Sequence, residues 1–256
     1  MSSPRSGSEV FEAYHPGVKR WIYGKGWAQL RDVQEKAGQY VLFSEKDVIV
    51  AAPTAGGKTE AAFLPIASRL AEADFAGVGC LCISPLKALI NDQYGRLSSL
   101  FEAVDRSLFA WHGDIPKSHK DKALASRTST LLITPESLEA MFVRRGQVAR
   151  AIFAQLAFVV VDELHAFIGT ERGRHVQSLL HRLEMMIGRS VRRIALSATL
   201  GDMQHAAQCL RPGAPENVAI AEGKGGGSAL ELQLRGYVLR KPEKEDDEQD
   251  PEEKTS

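Results

Sequence analysis

Seven short apolar runs recur along the chain, and each has the length of a buried β-strand. Between them, apolar positions recur with helical spacing. Continuous apolar strands that alternate with helices indicate a parallel sheet covered on both faces. We therefore predict an α/β fold with a parallel sheet of about seven strands and helices on both faces. The predicted strands are 47–52, 77–84, 107–112, 130–134, 156–162, 192–198 and 217–221, and the predicted helices are 58–72, 86–103, 116–126, 135–145, 171–187 and 202–210.

Length and composition agree with one large domain of this kind. The chain has 256 residues, of which 44% are hydrophobic and 25% charged, as in ordinary globular proteins. No apolar run reaches the roughly 20 residues that cross a bilayer, and no secretory signal is visible at the start. We therefore expect a cytoplasmic protein with no membrane partner. Cys80 and Cys82 alternate in an apolar run, which favours buried strand positions over metal ligation.

Charge is distributed unevenly along the chain. Residues 241–256 carry eight acidic and three basic side chains, so that residues 1–240 carry +5 within a neutral total. A modestly basic body suits a phosphate-rich partner, but an ordinary solvated surface explains it equally well. The glycine run 223–228 ends the predicted folded domain near residue 222, and a further strand could lie between this run and the tail.

The first strand runs directly into the segment Ala52-Pro-Thr-Ala-Gly-Gly-Lys58-Thr59, and a predicted helix follows. A phosphate-binding loop needs this order, because backbone N–H groups and a helix N-terminus must converge on the anionic phosphates. Gly56 and Gly57 would allow close approach of the backbone. Lys58 would neutralise the β and γ phosphates, and the Thr59 hydroxyl would ligate Mg²⁺. Ala52 departs from the common pattern, which has glycine there; the alternative is a glycine turn without a ligand.

Two adjacent carboxylates, Asp162 and Glu163, follow the strand 156–162. Carboxylates at the end of a buried strand are costly unless they serve a cation or a reaction, and α/β sheets bind ligands at this edge. Asp162 would hold Mg²⁺ through its water shell, and Glu163 would polarise the attacking water. Surface acids that cap a loop are the alternative.

The strand 192–198 ends in Ser197, Ala198 and Thr199. Small and hydroxyl-bearing residues beside the carboxylates could sense the γ phosphate. By itself this tripeptide could equally cap the helix 202–210. Its position after the two carboxylates favours the phosphate-sensing interpretation.

In this order the segments resemble the superfamily 2 DEAD/DEAH-box helicases: APTAGGKT, SPLKALINDQ, TPESLEA, DELH and SAT. The segments HPGVKRW, WHGDIP and DELHAFIGTERGRHVQSLLHRL are most similar to the large helicase-related, or Lhr-type, branch. The resemblance implies a RecA-like P-loop NTPase domain that uses ATP and Mg²⁺. It implies catalytic roles for Lys58, Asp162 and Glu163. It further implies nucleotide contacts from Gln34, Thr54, Ala55, Gly56, Gly57, Lys58, Thr59, Glu60 and Asp162, in which the Gln34 amide reads adenine and Thr59 and Asp162 serve the metal.

The same resemblance implies a groove for single-stranded DNA or RNA. Three segments would face the strand with backbone groups, independently of base sequence. His165 would couple hydrolysis to strand movement by contacting Ser197, Ala198 and Thr199. Each of these residues could also have a purely structural role. The groove residues are Pro85, Leu86, Lys87, His112, Gly113, Asp114, Thr134, Pro135 and Glu136.

We divide the chain into an N-terminal extension with the Gln34 segment (1–40), a first RecA-like domain (41–222), and a glycine-rich linker with a possible strand and a disordered acidic tail (223–256). A second RecA-like domain, which supplies arginines to the transition state, is expected to be absent. Three functions then compete: half of a helicase whose second domain lies on a separate chain or in a continuation of this one, an ATP-gated nucleic-acid clamp, and another P-loop enzyme such as a small-molecule kinase.

Overall fold

The strands pair in parallel throughout the sheet of the computed structural model, which describes residues 8–53, 56–73, 75–126, 128–198 and 201–223. Within these residues the sheet has seven strands in the order β3-β4-β2-β5-β6-β1-β7. The predicted parallel sheet is therefore confirmed. The strands are β1 (Asp47–Ala51), β2 (Gly77–Ile83), β3 (Ser107–Trp111), β4 (Thr128–Ile133), β5 (Phe158–Val161), β6 (Arg192–Ser197) and β7 (Val218–Glu222).

Helices cover both faces of the sheet, as predicted. Two 3-10 turns, Leu164–Ala166 and Pro215–Asn217, complete the described elements. The α-helices are α1 (Glu9–Glu12), α2 (Pro16–Gly24), α3 (Asp32–Phe43), α4 (Lys58–Glu72), α5 (Lys87–Glu102), α6 (Lys117–Ala125), α7 (Pro135–Phe153), α8 (Glu171–Ile187) and α9 (Met203–Leu210).

The central strands are buried on both faces, which explains their uninterrupted apolar sequences. Along β1, Val48 and Val50 join one hydrophobic cluster with α1 to α5. Ile49 and Ala51 point the other way and join a second cluster with α7, α8 and α9. Cys80 and Cys82 are fully buried free thiols in β2, as predicted from their alternation.

The N-terminal helices are the main elements that the pattern did not predict. Residues of α1, α2 and α3 share the first hydrophobic cluster with β1. The division that we placed at residue 40 therefore falls inside α3, in the middle of a packed helix. A second difference lies in α7, which runs to Phe153 instead of 145 and has non-helical backbone angles at Arg145.

The strand order separates the predicted functional segments into two groups. The phosphate loop, the paired carboxylates and Ser197 follow β1, β5 and β6, which lie side by side in the sheet. The three segments assigned to nucleic acid follow β2, β3 and β4, which are also neighbours. Because parallel strands end at one edge, each group converges there.

Two predictions concern the ends of the chain and membranes. The glycine-rich linker, possible strand and acidic tail lie outside the described residues from 224 onward. None of the helices in the described ranges is long and apolar enough to cross a membrane.

Candidate active site

The phosphate loop after β1 has a backbone that requires glycine. Gly57 is the N-cap of α4 and has φ 83° and ψ 24°, in the left-handed region that favours glycine. At Gly56, a Cβ would lie 2.8 Å from the Pro53 carbonyl oxygen. Thr54 and Ala55, which we also assigned to the nucleotide, lie outside the described residues.

Lys58 is held by the loop's own carbonyl groups. Its Nζ donates to the carbonyl oxygens of Ala52 at 2.8 Å and Pro53 at 3.1 Å. Thr59 follows on the first turn of α4 and is 9% exposed. Glu60, the third predicted residue of this turn, instead accepts a hydrogen bond from Arg96 on α5 at 2.6 Å. Lys58 and Thr59 therefore lie at the start of α4 beside the loop, whereas Glu60 forms an ion pair with Arg96.

Gln34 lies against the phosphate loop from the side of α3. Its side chain is buried, and its Oε1 accepts a hydrogen bond from the Arg31 backbone N–H at 2.9 Å. A Cβ at position 57 would lie 2.9 Å from Gln34 Nε2, so that the amide sits directly over Gly57. The structure thus brings the predicted adenine-reading residue next to the loop, with one end of its amide fixed.

Asp162 and Glu163 stand in different environments at the end of β5. Asp162 is 4% exposed, and its Oδ2 accepts hydrogen bonds from Gln93 Nε2 at 2.6 Å and Ser84 Oγ at 3.2 Å. Burial, and then the neighbouring charge of Glu163, raises the pKa of the Asp162 carboxyl from 3.8 to about 6. An ionised Asp162 is therefore costly in the absence of a cation.

Glu163 lies at the point where the chain turns sharply from β5 into the turn Leu164–Ala166. Its φ of 49° and ψ of 50° are left-handed, a conformation that costs a non-glycine residue about 1–2 kcal/mol. Its carboxylate remains partly exposed, with Oε2 3.3 Å from His165 Nδ1. The strained backbone at the end of this buried strand thus leaves the Glu163 carboxylate partly exposed.

His165 joins the turn after β5 to the end of β6. Its Nδ1 lies 3.2 Å from the donating backbone N–H of Ala198 and 3.4 Å from Ser197 Oγ. This is the contact expected between the two segments, although Thr199 lies outside the described residues. The same nitrogen lies 3.3 Å from Glu163 Oε2; because a ring nitrogen either accepts or donates, Nδ1 can bond to Ala198 or to Glu163 but not to both at once.

The nine groove residues divide by exposure into two sets. Pro85, His112, Thr134 and Pro135 are buried, whereas Leu86, Lys87, Gly113, Asp114 and Glu136 are exposed. His112 is 3% exposed, and its Nε2 lies 3.1 Å from Asn91 Oδ1. Thr134 caps α7 by accepting the Ser137 N–H. The buried set therefore shapes the edge of the sheet, and the exposed set lies at the surface of that edge.

Ion pairs order the exposed set. Lys87 Nζ lies 2.9 Å and 3.0 Å from the two carboxylate oxygens of Asp114. Arg172, on α8, makes a two-bond pair with Glu136 at 2.8 Å and 3.1 Å. The charges of Lys87 and Arg172 are therefore already paired with carboxylates.

One open cleft connects the two groups of segments. It has a volume of about 570 Å³. Our sequence interpretation assigned no role to Arg96, Arg172, Ser84 or Gln93, since their contacts depend on how helices cross the sheet edge. The residues that line the cleft include Lys58, Thr59, Glu163 and His165 on one side and Pro85, Leu86, Arg96 and Arg172 on the other.

A glycine loop at the start of a helix, with paired carboxylates on a neighbouring parallel strand, defines a P-loop NTPase domain of the RecA-like type. The more specific assignment follows from comparison with known sequences. The chain belongs to the DEAD/DEAH box helicase family, whose sequence model matches residues 31–206.

The expected similarity to the Lhr-type branch is also confirmed. The chain is 33% identical over 187 residues to "Lhr helicase/ probable uracil glycosylase" of Mycolicibacterium smegmatis, covering 67% of this chain and 12% of that protein. It is 30% identical over 222 residues to "ATP-dependent helicase Lhr-Core" of Methanothermobacter thermautotrophicus, covering 79% and 25%. The solved structure of Mycobacterium smegmatis helicase Lhr bound to ssDNA and AMP-PNP aligns with a TM-score of 0.74 and 28% identity, covering 85% of this chain and 28% of that one. The chain thus spans less than a third of the length of each relative.

Proposed function

We propose that this chain is an ATP-hydrolysing motor domain that acts on single-stranded nucleic acid. The observation that carries the proposal is the cleft in which Lys58, Thr59 and Glu163 face Leu86. One cavity can thereby bring a nucleotide close to a bound strand. The solved Lhr structure with ssDNA and AMP-PNP supports this assignment.

The residues present fit ATP and Mg²⁺. Gly56 and Gly57 leave space that a side chain would fill, and the start of α4 directs backbone N–H groups toward an anion. Lys58 Nζ now donates to two carbonyl oxygens, and phosphate oxygens would replace them as stronger, charge-assisted acceptors. Thr59 and Asp162 offer the oxygen ligands that Mg²⁺ prefers, and the bound ion would neutralise phosphate charge.

Glu163 is the residue that we assign to the attacking water. Its carboxylate is partly exposed beside the cleft, whereas that of Asp162 is buried. A solvent-accessible carboxylate can orient water and accept its proton. The contact of His165 Nδ1 with Glu163 and Ala198 would transmit a change at the carboxylate to β6.

Nucleotide choice is assigned to Gln34. An amide offers both a donor and an acceptor to adenine, whereas guanine presents the opposite pattern on the same edge. The position of Gln34 over Gly57 places this amide at the margin of the phosphate loop. We expect ATP to bind more tightly than GTP, and expect Gln34→Ala to remove the preference when both affinities are measured by competition.

We assign strand binding to the exposed set at the ends of β2, β3 and β4. Leu86 and Lys87 begin α5, and Gly113 and Asp114 follow β3. Phosphates would compete with Asp114 for Lys87 and with Glu136 for Arg172. Binding should therefore weaken as salt rises, without dependence on base sequence.

Efficient turnover needs a further positive charge at the transition state. Among the described residues, the two arginines that line the cleft, Arg96 and Arg172, are both paired with carboxylates. We therefore propose that a second RecA-like domain, on a separate chain or elsewhere in a longer protein, supplies this charge. Such residues accelerate related phosphoryl transfers by about 10³–10⁵.

The experiment that tests the proposed function is phosphate release from ATP, with and without single-stranded DNA or RNA. Release that a single strand stimulates and that Glu163→Gln abolishes is the expected result. Release that is unchanged by Glu163→Gln would contradict the role of this carboxylate. ATP binding that alters strand affinity without phosphate release would support the nucleotide-gated clamp instead.

A further inference from the structure

A buried amide contacts the carboxylate that we assign to Mg²⁺. Gln93 lies on α5 and is 5% exposed. Its Nε2 donates to Asp162 Oδ2 at 2.6 Å, and Ser84 Oγ donates to the same oxygen at 3.2 Å. Because both donors occupy Oδ2, we expect Oδ1 to be the oxygen that faces the metal and its water shell.

The orientation of Gln93 is fixed at both ends of its amide. Cys82 Sγ donates to Gln93 Oε1 at 3.5 Å. Ile90 and Leu97, three positions before and four after, are also buried and place Gln93 on the inner face of α5. Burying an amide among such residues is costly unless its polar atoms are bonded. Gln93 thus reaches Asp162 from a constrained position.

The chemistry of the donors suits a carboxylate that must bind a cation. Across the described residues, no lysine, arginine or histidine lies within ion-pair distance of Asp162. An arginine would orient the group but would also compete with a metal for its charge. A neutral amide and a hydroxyl orient it and leave the charge available.

We propose that Gln93 is a positioning residue that holds the Asp162 carboxylate for the Mg²⁺ that accompanies ATP. The inference rests on the proposed function, because it assigns Asp162 to the metal. Gln93 itself touches neither nucleotide nor metal in this proposal. Its removal should therefore weaken the part of nucleotide affinity that depends on Mg²⁺ and leave the remainder.

The first experiment measures AMP-PNP affinity with Mg²⁺ and with EDTA for the wild type, Gln93→Leu and Gln93→Met. Loss of a partner of a metal ligand typically reduces metal affinity by about 10–100-fold. For both variants we expect the gain in AMP-PNP affinity on adding Mg²⁺ to be at least about tenfold smaller than in the wild type. Their affinity in EDTA should be unchanged. Gln177→Leu is the matched control, since this amide on α8 donates to the Cys209 carbonyl oxygen at 3.2 Å and not to Asp162. If either Gln93 variant gained as much AMP-PNP affinity from Mg²⁺ as the wild type does, the inference would be overturned.

A second experiment tests the contact without any ligand. The Tm values of Gln93→Leu, Asp162→Ala and the double variant, measured in EDTA, form a double-mutant cycle. Non-additive shifts are expected because the residues share a buried hydrogen bond, and additive shifts would overturn the inference. Absence of a Mg²⁺ gain in the wild type would instead refute the proposed function, and the cycle would still decide whether Gln93 positions Asp162.

Discussion

Buried charged side chains have different partners at the two ends of the sheet. At the amino ends of β1 and β6, Asp47, Glu184, Arg193 and Arg211 form a closed network of ion pairs. At the carboxyl end of the neighbouring β5, the Asp162 carboxylate is equally buried but has only neutral hydrogen-bond partners among the described side chains. The buried charges at the amino end are paired with one another, whereas Asp162 has no cationic side-chain partner among the described residues.

The amino-end network satisfies its charges almost completely. Arg211 donates to both oxygens of Asp47 and to Glu184 Oε1 at 2.9 Å. Arg193 donates to Glu184 Oε2 at 2.8 Å and to the Leu210 carbonyl oxygen. Burial opposes ionisation of Glu184, but the Val191 N–H and the two guanidinium groups hold its pKa below the ordinary value. Such a network tolerates burial because each charge has a partner.

At the carboxyl end of the sheet, by contrast, several groups lie in environments that lower the stability of the fold. Asp162 has a raised pKa, Glu163 has a left-handed backbone, and Lys58 bonds to loop carbonyls rather than to an anion. Each of these features would be relieved or used when an anionic nucleotide and a cation bind. These three features lie together where we propose that ATP and Mg²⁺ bind.

The largest effect on stability should come from opening the closed network. Arg211→Ala removes the cationic partner of the buried Asp47 carboxylate, which among the described residues keeps only the Arg193 backbone N–H, and one of the two guanidinium partners of Glu184. We expect the free energy of unfolding to fall by about 3–5 kcal/mol. Urea denaturation would measure this loss. Arg174→Ala is the control, because the pair of Arg174 with Glu171 is exposed and should contribute less than about 1 kcal/mol. A similar loss of unfolding free energy in Arg211→Ala and Arg174→Ala would contradict the special contribution of the buried network.

The next largest effect should be a gain in stability when Asp162, at the carboxyl end of the sheet, is replaced. In the folded protein the pKa of Asp162 is about 6, against an ordinary 3.8, so the unfolded chain ionises first as the pH rises. Wild-type stability is therefore lost between about pH 4 and pH 6, and Asp162→Asn should avoid that loss. We expect the variant to be indistinguishable at pH 4 and more stable by at most about 3 kcal/mol at pH 8.

Thermal unfolding across this pH range, in EDTA and without nucleotide, would test the Asp162 prediction. The measured quantity is the difference in Tm between Asp162→Asn and the wild type at each pH. A difference that stays constant from pH 4 to pH 8 would show that Asp162 is not destabilising when ionised.

The smallest effect on stability should come from Lys58→Met. The two bonds from Lys58 to loop carbonyls are partly exposed, so their loss should change the free energy of unfolding by less than about 1 kcal/mol. ATP affinity should nevertheless fall by about tenfold to hundredfold, because a charge-assisted phosphate contact is removed. Equilibrium binding and urea denaturation would separate the two quantities.

Lys36→Met provides the matched control for Lys58→Met. Lys36 Nζ also donates to a backbone carbonyl oxygen, that of Glu222, at 2.9 Å. Its loss should have a comparable effect on stability and none on ATP affinity. Equal losses of affinity in the two variants would argue against a specific role for Lys58.

Much of the fold could be predicted because both faces of the sheet are covered. Burial on two faces forces continuous apolar runs such as 77–84, and the intervening helices show their own period. The helices α1, α2 and α3 were not predicted from the pattern, although α3 has 12 residues and is longer than the predicted α6 and α9. They bury one face against neighbours that are distant in the chain. Their assignment required the packed structure.

The candidate site divides in a similar way. Lys58, Asp162 and Glu163 could be assigned from the sequence, because a phosphate loop and strand-end carboxylates are local patterns. Gln93 and Ser84 could not, since their contact with Asp162 joins positions 69 and 78 residues apart. Likewise, the burial of His112 and the pairing of Glu60 with Arg96 depend on how α5 lies across the sheet.

The sequence by itself determined the alternation of strands and helices, the phosphate loop, the carboxylate pair and their family resemblance, because these depend on residues near one another in the chain. The tertiary structure alone decided the order β3-β4-β2-β5-β6-β1-β7, and with it which segments share an edge. It also decided which charges are paired and which remain for a ligand. Strand order and side-chain pairing arise from packing between distant segments, and no local pattern encodes such contacts.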